Sequence, residues 1–213
     1  MYLFSSEMRW FFHGELPDEV LDWFCEGHEY TQSSPREDQY LKLPDGDTVG
    51  VKMREGRFEI KVRRTDPRPI ALSNAVIGYA DDWVKWSSRD LGIDRLIRRT
   101  DAWESHEWIT VRKERWLRWY GVSEVRPTSE PITMSRASGC GFELTAVRVD
   151  DDHWWTVSLE ALGLPDEIPK VLQSTGSQVF SVRPFPQHLD RDTSFAYPKW
   201  LTRFAEVEGG RPR

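Results

Sequence analysis

The sequence predicts a mainly β, α+β fold, and three observations carry that expectation. Residues 49–64, VGVKMREGRFEIKVRR, alternate charged with apolar side chains, the period-two pattern of strands with two unlike faces. The turn sequence PDGD precedes this region and EG divides it, as hairpin connections do. The bulk is aromatic rather than aliphatic, with eleven Trp and ten Phe in 213 residues, and aromatic side chains suit strands.

Length allows one large β domain or two small ones. No repeat of 20–50 residues is visible, so one domain over residues 1–213 with a short disordered C-terminal tail is the simplest expectation. No apolar run approaches the roughly 18 residues of a membrane helix, and the first residues lack the pattern of a secretion leader. Cys25 and Cys140 are the only cysteines, too few for a disulfide framework. A cytoplasmic protein with no membrane partner is therefore expected. The five histidines have no HxH, HExxH or CxxC company, which argues against zinc. A formal net charge of −6 disfavours general nucleic-acid binding.

Taken in order, residues 2–12 read as an aromatic strand. LPDEVLDWFCEG follows with Pro17 near its start, Asp18 and Glu19 in the first turn, apolar Leu16, Val20, Leu21 and Phe24 at helical spacing, and Gly27 as a stop. YTQSSPRE reads as a loop. Residues 39–43, 48–54 and 57–64 form a three-strand meander, and residues 65–69 interrupt the pattern with two prolines. AVIGYADDWVKWSS and HEWITVRKERWLRWYGV are strands, joined by a helical or loop connection through RDLGIDRLIRRTDAWES. VSEVRPTSEP is a linker or loop. CGFELTAVRVDDDHWWTVSLEALG gives two strands meeting at the acidic DDD. PDEIPKVLQSTG is helical, and SFAYPKWLTRFAEVEGGRPR closes the chain as a short helix with a frayed tail.

Strand alternation places Lys52 and Arg54 opposite Val51 and Met53, and Arg57, Glu59, Lys61 and Arg63 opposite Phe58, Ile60 and Val62. Glu7 and Arg9 alternate with Met8 and Trp10, Glu143 and Thr145 with Leu144 and Ala146, and Ser158 and Glu160 with Val157 and Leu159. Two architectures satisfy this pattern. The charged face lies in solvent on a half-exposed antiparallel sheet, or it points into a barrel whose outer, apolar face is covered by helices. In WITVRKERWLRWYG both parities carry charge, Arg112, Glu114 and Arg118 on one and Lys113 and Arg115 on the other. That strand is ambiguous.

The N-terminal strand with its Glu, the amphipathic helix, YLKLPDGDTVGVKMREGRFEIKVRR and the late FEL and WWTVSLEALG, in that order, resemble the CYTH-like, triphosphate tunnel superfamily. The resemblance implies an antiparallel β-barrel, a tunnel with a charged interior and a few packed outer helices. It implies a phosphorylated anion as ligand (a triphosphate, a nucleotide or a similar compound) and, if the chain is an enzyme, metal-dependent phosphohydrolysis with Mg2+ or Mn2+. Lys52 and Arg54 then match the basic pair that holds the triphosphate, Lys61 the lysine of the following strand, and Glu143 the first acid of the late ExE strand. Arg9, Lys52, Arg54, Lys61, Arg63 and Arg112 are the expected substrate-binding residues. Lys61 and Glu143 are the expected catalytic residues, and Glu7, Glu143 and Glu160 the expected metal ligands. The sequence departs from the pattern at the metal. ExExK is replaced by E-x-R-x-F, with Arg9 for the second Glu and Phe11 for the Lys, and the late motif reads E-L-T, with Thr145 for the second acid.

Lys and Arg on adjacent strands supply the cations that neutralise a polyphosphate. Hydrolysis asks for more, since Mg2+ needs carboxylates and water around it to stabilise in-line attack. An Arg in place of an acid repels a divalent ion, and Glu59 reads more readily as an internal ion-pair partner than as a ligand. The alternative function is therefore a non-catalytic binding or interaction module with a degenerate tunnel site. A third is single-stranded nucleic-acid binding through basic and Trp side chains. Trp83, Trp86, Trp103, Trp108, Trp116, Trp119, Trp154 and Trp155 are expected chiefly in packing, and Trp200 is expected as a helix clamp on the outer wall, with Pro198 presetting the turn.

Overall fold

Antiparallel pairing closes on itself in this chain. The computed structural model describes residues 2–43, 46–89, 108–121, 124–128 and 138–208. Its elements are β1 (Tyr2–His13), α1 (Asp18–Cys25), β2 (Thr31–Leu41), β3 (Val49–Arg54), β4 (Arg57–Arg63), β5 (Arg68–Ser73), β6 (Val76–Ser88), β7 (Trp108–Gly121), β8 (Glu124–Thr128), β9 (Gly139–Val149) and β10 (Asp152–Leu162). Helices α2 (Ile168–Val182) and α3 (Tyr197–Glu208) complete it. β1 pairs with β10 along one edge and with β6 along the other. The order β1-β10-β9-β7-β2-β3-β4-β6 returns to β1, so eight strands form a closed barrel. The remaining two are additions: β5 pairs with β6 beyond the end of β4, and β8 pairs with β7 beyond the end of β2.

The second hairpin of the meander forms as its EG turn dictates, while Pro44 and Asp45 of PDGD lie outside the described residues. Glu55 and Gly56 both adopt positive φ, 50° and 68°, the backbone of the two-residue hairpin turn whose twist matches that of its strands. Lys52 then lies directly opposite Glu59 and Gly50 opposite Lys61.

Alternation sends one apolar set outward. Met8 and Trp10 of β1, Phe142 and Leu144 of β9, and Val157 and Leu159 of β10 are fully buried in a cluster with Val20 and Phe24 of α1 and Leu172 and Phe180 of α2. The two helices therefore cover the outer wall, as amphipathic stripes should. α2 approaches closely because Gly176 has no side chain: a Cβ there would stand 2.7 Å from methyl groups of Leu72 and Leu159.

A second apolar cluster lies on the lining face and changes the expected place of Trp200. Phe11 has the same parity as Glu7 and Arg9, and it packs with Tyr40, Ile109, Val147 and Val149 against Phe195, Trp200 and Leu201. The Trp200 ring stacks on Phe11 at 5.1 Å. Trp200 thus closes one end of the barrel instead of clamping its outer wall.

Three local expectations are also corrected. The YTQSSPRE loop is the first part of β2, paired with β7 from Thr31 to Ser33 and again from Arg36, and Pro35 sits in the irregularity between them, where its missing N–H breaks no ladder bond. The interruption by prolines ends at Pro67, and Arg68–Ser73 is a strand. The linker VSEVRPTSEP contains β8. Most of RDLGIDRLIRRTDAWES, Trp103 and the expected tail at 209–213 lie outside the described residues. Cys25 and Cys140 are both free. Among the described residues no helix is long and apolar enough to cross a membrane.

The closure by α3 generates a test. Trp200 is fully buried, so Trp200→Ala is expected to lose about 3–5 kcal/mol and to lower the melting temperature by roughly 10 °C. A calorimetric shift below about 2 °C would mean that α3 adds little to the barrel end.

Candidate functional site

Each of the eight barrel strands delivers polar side chains to a cavity of about 510 Å³ inside the barrel. β1 brings Glu7 and Arg9, β3 Lys52 and Arg54, β4 Glu59 and Lys61, and β6 Lys85 with Trp83. β7 contributes Lys113 and Arg115, β9 Glu143 and Thr145, β10 Glu160, and β2 Arg36 and Tyr40. The reading of the charged face as solvent is therefore wrong for this chain, because the wall is closed.

Arg9 occupies the middle of the lining. Its Nε donates to Glu7 Oε1 at 2.8 Å, and its Nη1 donates to Glu143 Oε1 at 3.2 Å and to Thr156 Oγ1 at 2.8 Å. The Tyr197 ring lies 4.9 Å from its guanidinium carbon. Glu143 accepts in addition from the Thr145 hydroxyl at 2.8 Å and from Arg115 at 3.3 Å. Lys61 donates to the second oxygen of Glu7, lies 4.9 Å from the Trp83 ring and stands 3.9 Å from Glu160.

A second network begins at Glu59, which pairs with Arg54 at 3.0 Å and with Lys52 and Lys85 at 3.2 Å each. Lys52 continues to Asp38 at 3.4 Å, and Asp38 also meets Lys113 at 3.2 Å and Arg36 at 3.5 Å. Lys113 donates to the Tyr40 hydroxyl at 2.6 Å and lies 3.9 Å from the Tyr197 ring.

Burial and pairing compete at each carboxylate. Burial by itself would raise Glu143, but Arg9, Arg115 and the Thr145 hydroxyl outweigh it and hold the group at about 2. Glu59 is held at about 2 in the same way, by Lys52, Lys85 and Arg54. Glu7 and Asp38 are also held well below the usual carboxylate range against their burial. Lys113 goes the other way. Burial brings it down to about 7, helped by Lys52, Arg36 and Arg9 and opposed by Asp38. Asp81, which faces Glu7 across the β1–β6 pairing, is raised to about 6 by burial and by Glu7.

Of the expected site residues, Glu7, Arg9, Lys52, Arg54, Lys61, Glu143 and Glu160 line the cavity. Arg63 shares their face but spans Asp81 and Asp47 at 3.4 and 3.2 Å and is not part of the lining. Arg112 is a correction: its side chain is 59% exposed and pairs with Glu37 at 2.8 Å on the outside. β7 resolves its ambiguous parity toward Lys113 and Arg115, since the apolar residues that enter the closed barrel, Ile109, Val111 and Leu117, share that parity. Lys85, Arg36, Asp38, Tyr40 and Tyr197 were not expected. Lys85 could have been found from the alternation Asp81, Trp83, Lys85, whereas Arg36 and Asp38 were hidden by the loop assignment.

The carboxylates do not fit a divalent ion. Among the described residues no three His, Cys, Asp or Glu side chains stand together as a metal-binding group. The Arg9 guanidinium bridges Glu7 and Glu143, and Glu160 is oriented toward Lys61.

These features define a class: a closed eight-strand antiparallel barrel with an ionic, predominantly basic tunnel. No protein-family model matches the chain, and no curated protein matches it. Solved structures do. The PH1819 protein of Pyrococcus horikoshii superposes with a TM-score of 0.50 at 14% identity, covering 95% of this chain and 99% of its own. PH1012 of the same organism gives 0.43 at 15% identity, covering 91% and 98%. A Bacillus halodurans protein provisionally named an adenylate cyclase gives 0.32 at 10% identity, covering 86% and 95%. The likeness to PH1819 is one of fold.

The depressed carboxylates set an acid limit. With ordinary values near 4.5 when unfolded and about 2 when folded, Glu59 and Glu143 contribute stability that is complete above about pH 4.5 and is lost as the pH falls through 2. Acid unfolding followed by tryptophan fluorescence should set in within that window, and a barrel equally stable at pH 2 and pH 5 would contradict the ion-pair assignment.

Proposed function

We propose that the tunnel binds a phosphorylated small-molecule anion, such as a triphosphate or a nucleotide. The observation that carries this reading is the charge of the lining: eight Lys and Arg side chains against four Glu. The formal excess is four positive charges, or three when Asp38, which stands behind the wall, is counted with them. A buried ion without compensation is disfavoured by several kcal/mol, and a compact polyanion supplies that compensation with oxygens spaced for Lys and Arg donors. Leu117, Trp119 and Leu162 add an apolar part to the same cavity, which suits an organic group attached to the phosphate. The basic groups face inward, where a small anion reaches them more readily than a polynucleotide does.

Binding without turnover is the version the carboxylates favour, because the acids that would hold a catalytic metal are engaged by Arg and Lys. The CYTH-like resemblance and the fold likeness are both consistent with a divergent tunnel barrel of that superfamily. A cytoplasmic location belongs to the same proposal.

The test is a melting screen with inorganic triphosphate, pyrophosphate and nucleoside triphosphates, paired with a phosphate-release assay in Mg2+ and in Mn2+. Ligand at a hundred times its Kd stabilises by about 2.7 kcal/mol, so a rise of several degrees is expected, with no phosphate released. If no phosphate compound moves the melting temperature, the proposal is wrong. Lys52→Met removes one charge-assisted contact of about 1.5–3 kcal/mol and should weaken the successful ligand about ten- to hundredfold.

Binding should also depend on pH. Lys113 titrates at about 7 and Asp81 at about 6, so lowering the pH from 8.5 to 6 adds charge at the first and removes it at the second. Both changes favour an anion. Affinity for a polysulfonate, whose own charge is constant over this range, should rise as the pH falls and should rise less in Lys113→Met. A flat profile in the parent protein would exclude Lys113 as a ligand contact.

A further inference from the structure

Two of the three acids expected to hold a metal, Glu7 and Glu143, are held by a single side chain. Arg9 is buried and fixed from four directions: by Glu7 Oε1, Glu143 Oε1, Thr156 Oγ1 and the Tyr197 ring. Those contacts use its Nε and Nη1. Among the described residues its Nη2 makes no hydrogen bond, and Arg9 lines the cavity, so the free edge of the guanidinium is left for an oxygen of a bound anion. The second oxygens of the two acids are engaged as well, Glu7 Oε2 by Lys61 and Glu143 Oε2 by Arg115. A divalent ion would have to displace the guanidinium and two other donors to reach them. It would also enter a lining that already carries an excess of positive charge.

We infer that the Arg9 guanidinium takes the place of a divalent cation in this tunnel, so that the phosphorylated anion is captured free of metal and Mg2+ weakens its capture by sequestering it in solution. This rests on the proposed anion binding. A guanidinium keeps its charge at any physiological pH, and the Nη2 left free by these contacts donates to a phosphate oxygen directly, which a hydrated Mg2+ meets only by shedding water. Arg9 of β1 is thus a cation built into the protein.

Two measurements on the full chain decide it. In the first, Mn2+ is titrated without phosphate and free Mn2+ is followed by electron paramagnetic resonance. No binding is expected from the parent protein or from Arg9→Lys, whereas Arg9→Gln, which frees Glu7 and Glu143 of the charge between them, should gain Mn2+ binding. Stoichiometric Mn2+ binding by the parent protein overturns the inference, whether or not any phosphate compound binds. In the second, inorganic tripolyphosphate is titrated calorimetrically in EDTA and in excess Mg2+. Affinity should be at least about tenfold higher in EDTA; tighter binding in Mg2+ overturns the inference while leaving anion binding intact. Arg9→Gln should bind at least about tenfold more weakly in EDTA, and unchanged affinity there also overturns it. If Arg9→Gln does not fold, Arg9→Lys carries the comparison: it should bind more weakly than the parent, still without help from Mg2+, and a gain from Mg2+ counts against the inference. Absence of tripolyphosphate binding under both conditions overturns the proposed function, and the Mn2+ titration still decides the place of Arg9.

Discussion

The structure depends on the mutual compensation of charges inside a closed wall. An ion taken out of water without a partner is strongly disfavoured, and this barrel places many in one cavity. They are tolerated because three of the four lining carboxylates are each met by two or three cations: Glu7 by Arg9 and Lys61, Glu143 by Arg9 and Arg115, Glu59 by Lys52, Arg54 and Lys85. These pairs cross between strands distant in sequence, β1 to β9 and β1 to β4 among them. They therefore tie the register of one strand to that of its neighbours. A slip of one residue would bring Met8 and Trp10 inside and turn Arg9 outward, breaking the apolar cover and the ionic lining together.

That coupling explains the division of labour among the helices. α1 and α2 cover the apolar outer faces of β1, β9 and β10, which would otherwise be exposed. α3 meets the lining face itself, where Phe11, Tyr40 and Ile109 give the inside a short apolar end. Tyr197 joins the two environments, stacking on Tyr40 at 5.6 Å and lying beneath the charged groups of Arg9 and Lys113. Closure at this end keeps water from the deepest ions, and it is there that burial brings Lys113 down to about 7.

The same charges bear on chemistry. Carboxylates surrounded by Arg and Lys stay ionised and occupied, which suits them to orienting cations and not to ligating a metal or moving a proton. The cations, shared among fewer acids than would neutralise them, keep donors to spare.

Residue pattern by itself determined a good part of this protein: the hairpin around EG, the helix after Pro17, the paired strands around DDD, and the facing of Lys52, Arg54, Lys61, Glu7, Arg9 and Glu143. These are local, because a two-residue period and a turn type need no distant partner. It left open whether the charged face met solvent or a tunnel, and it misjudged β2, whose Ser- and Pro-containing start resembles a loop until β7 lies beside it. It also offered Arg112, when β7 carried charge on both parities and only closure chose Lys113 and Arg115. The tertiary structure decided these points because inside and outside are properties of the whole ring. A strand's sequence says that its two faces differ, while the pairing of β1 with both β10 and β6 says which one is enclosed.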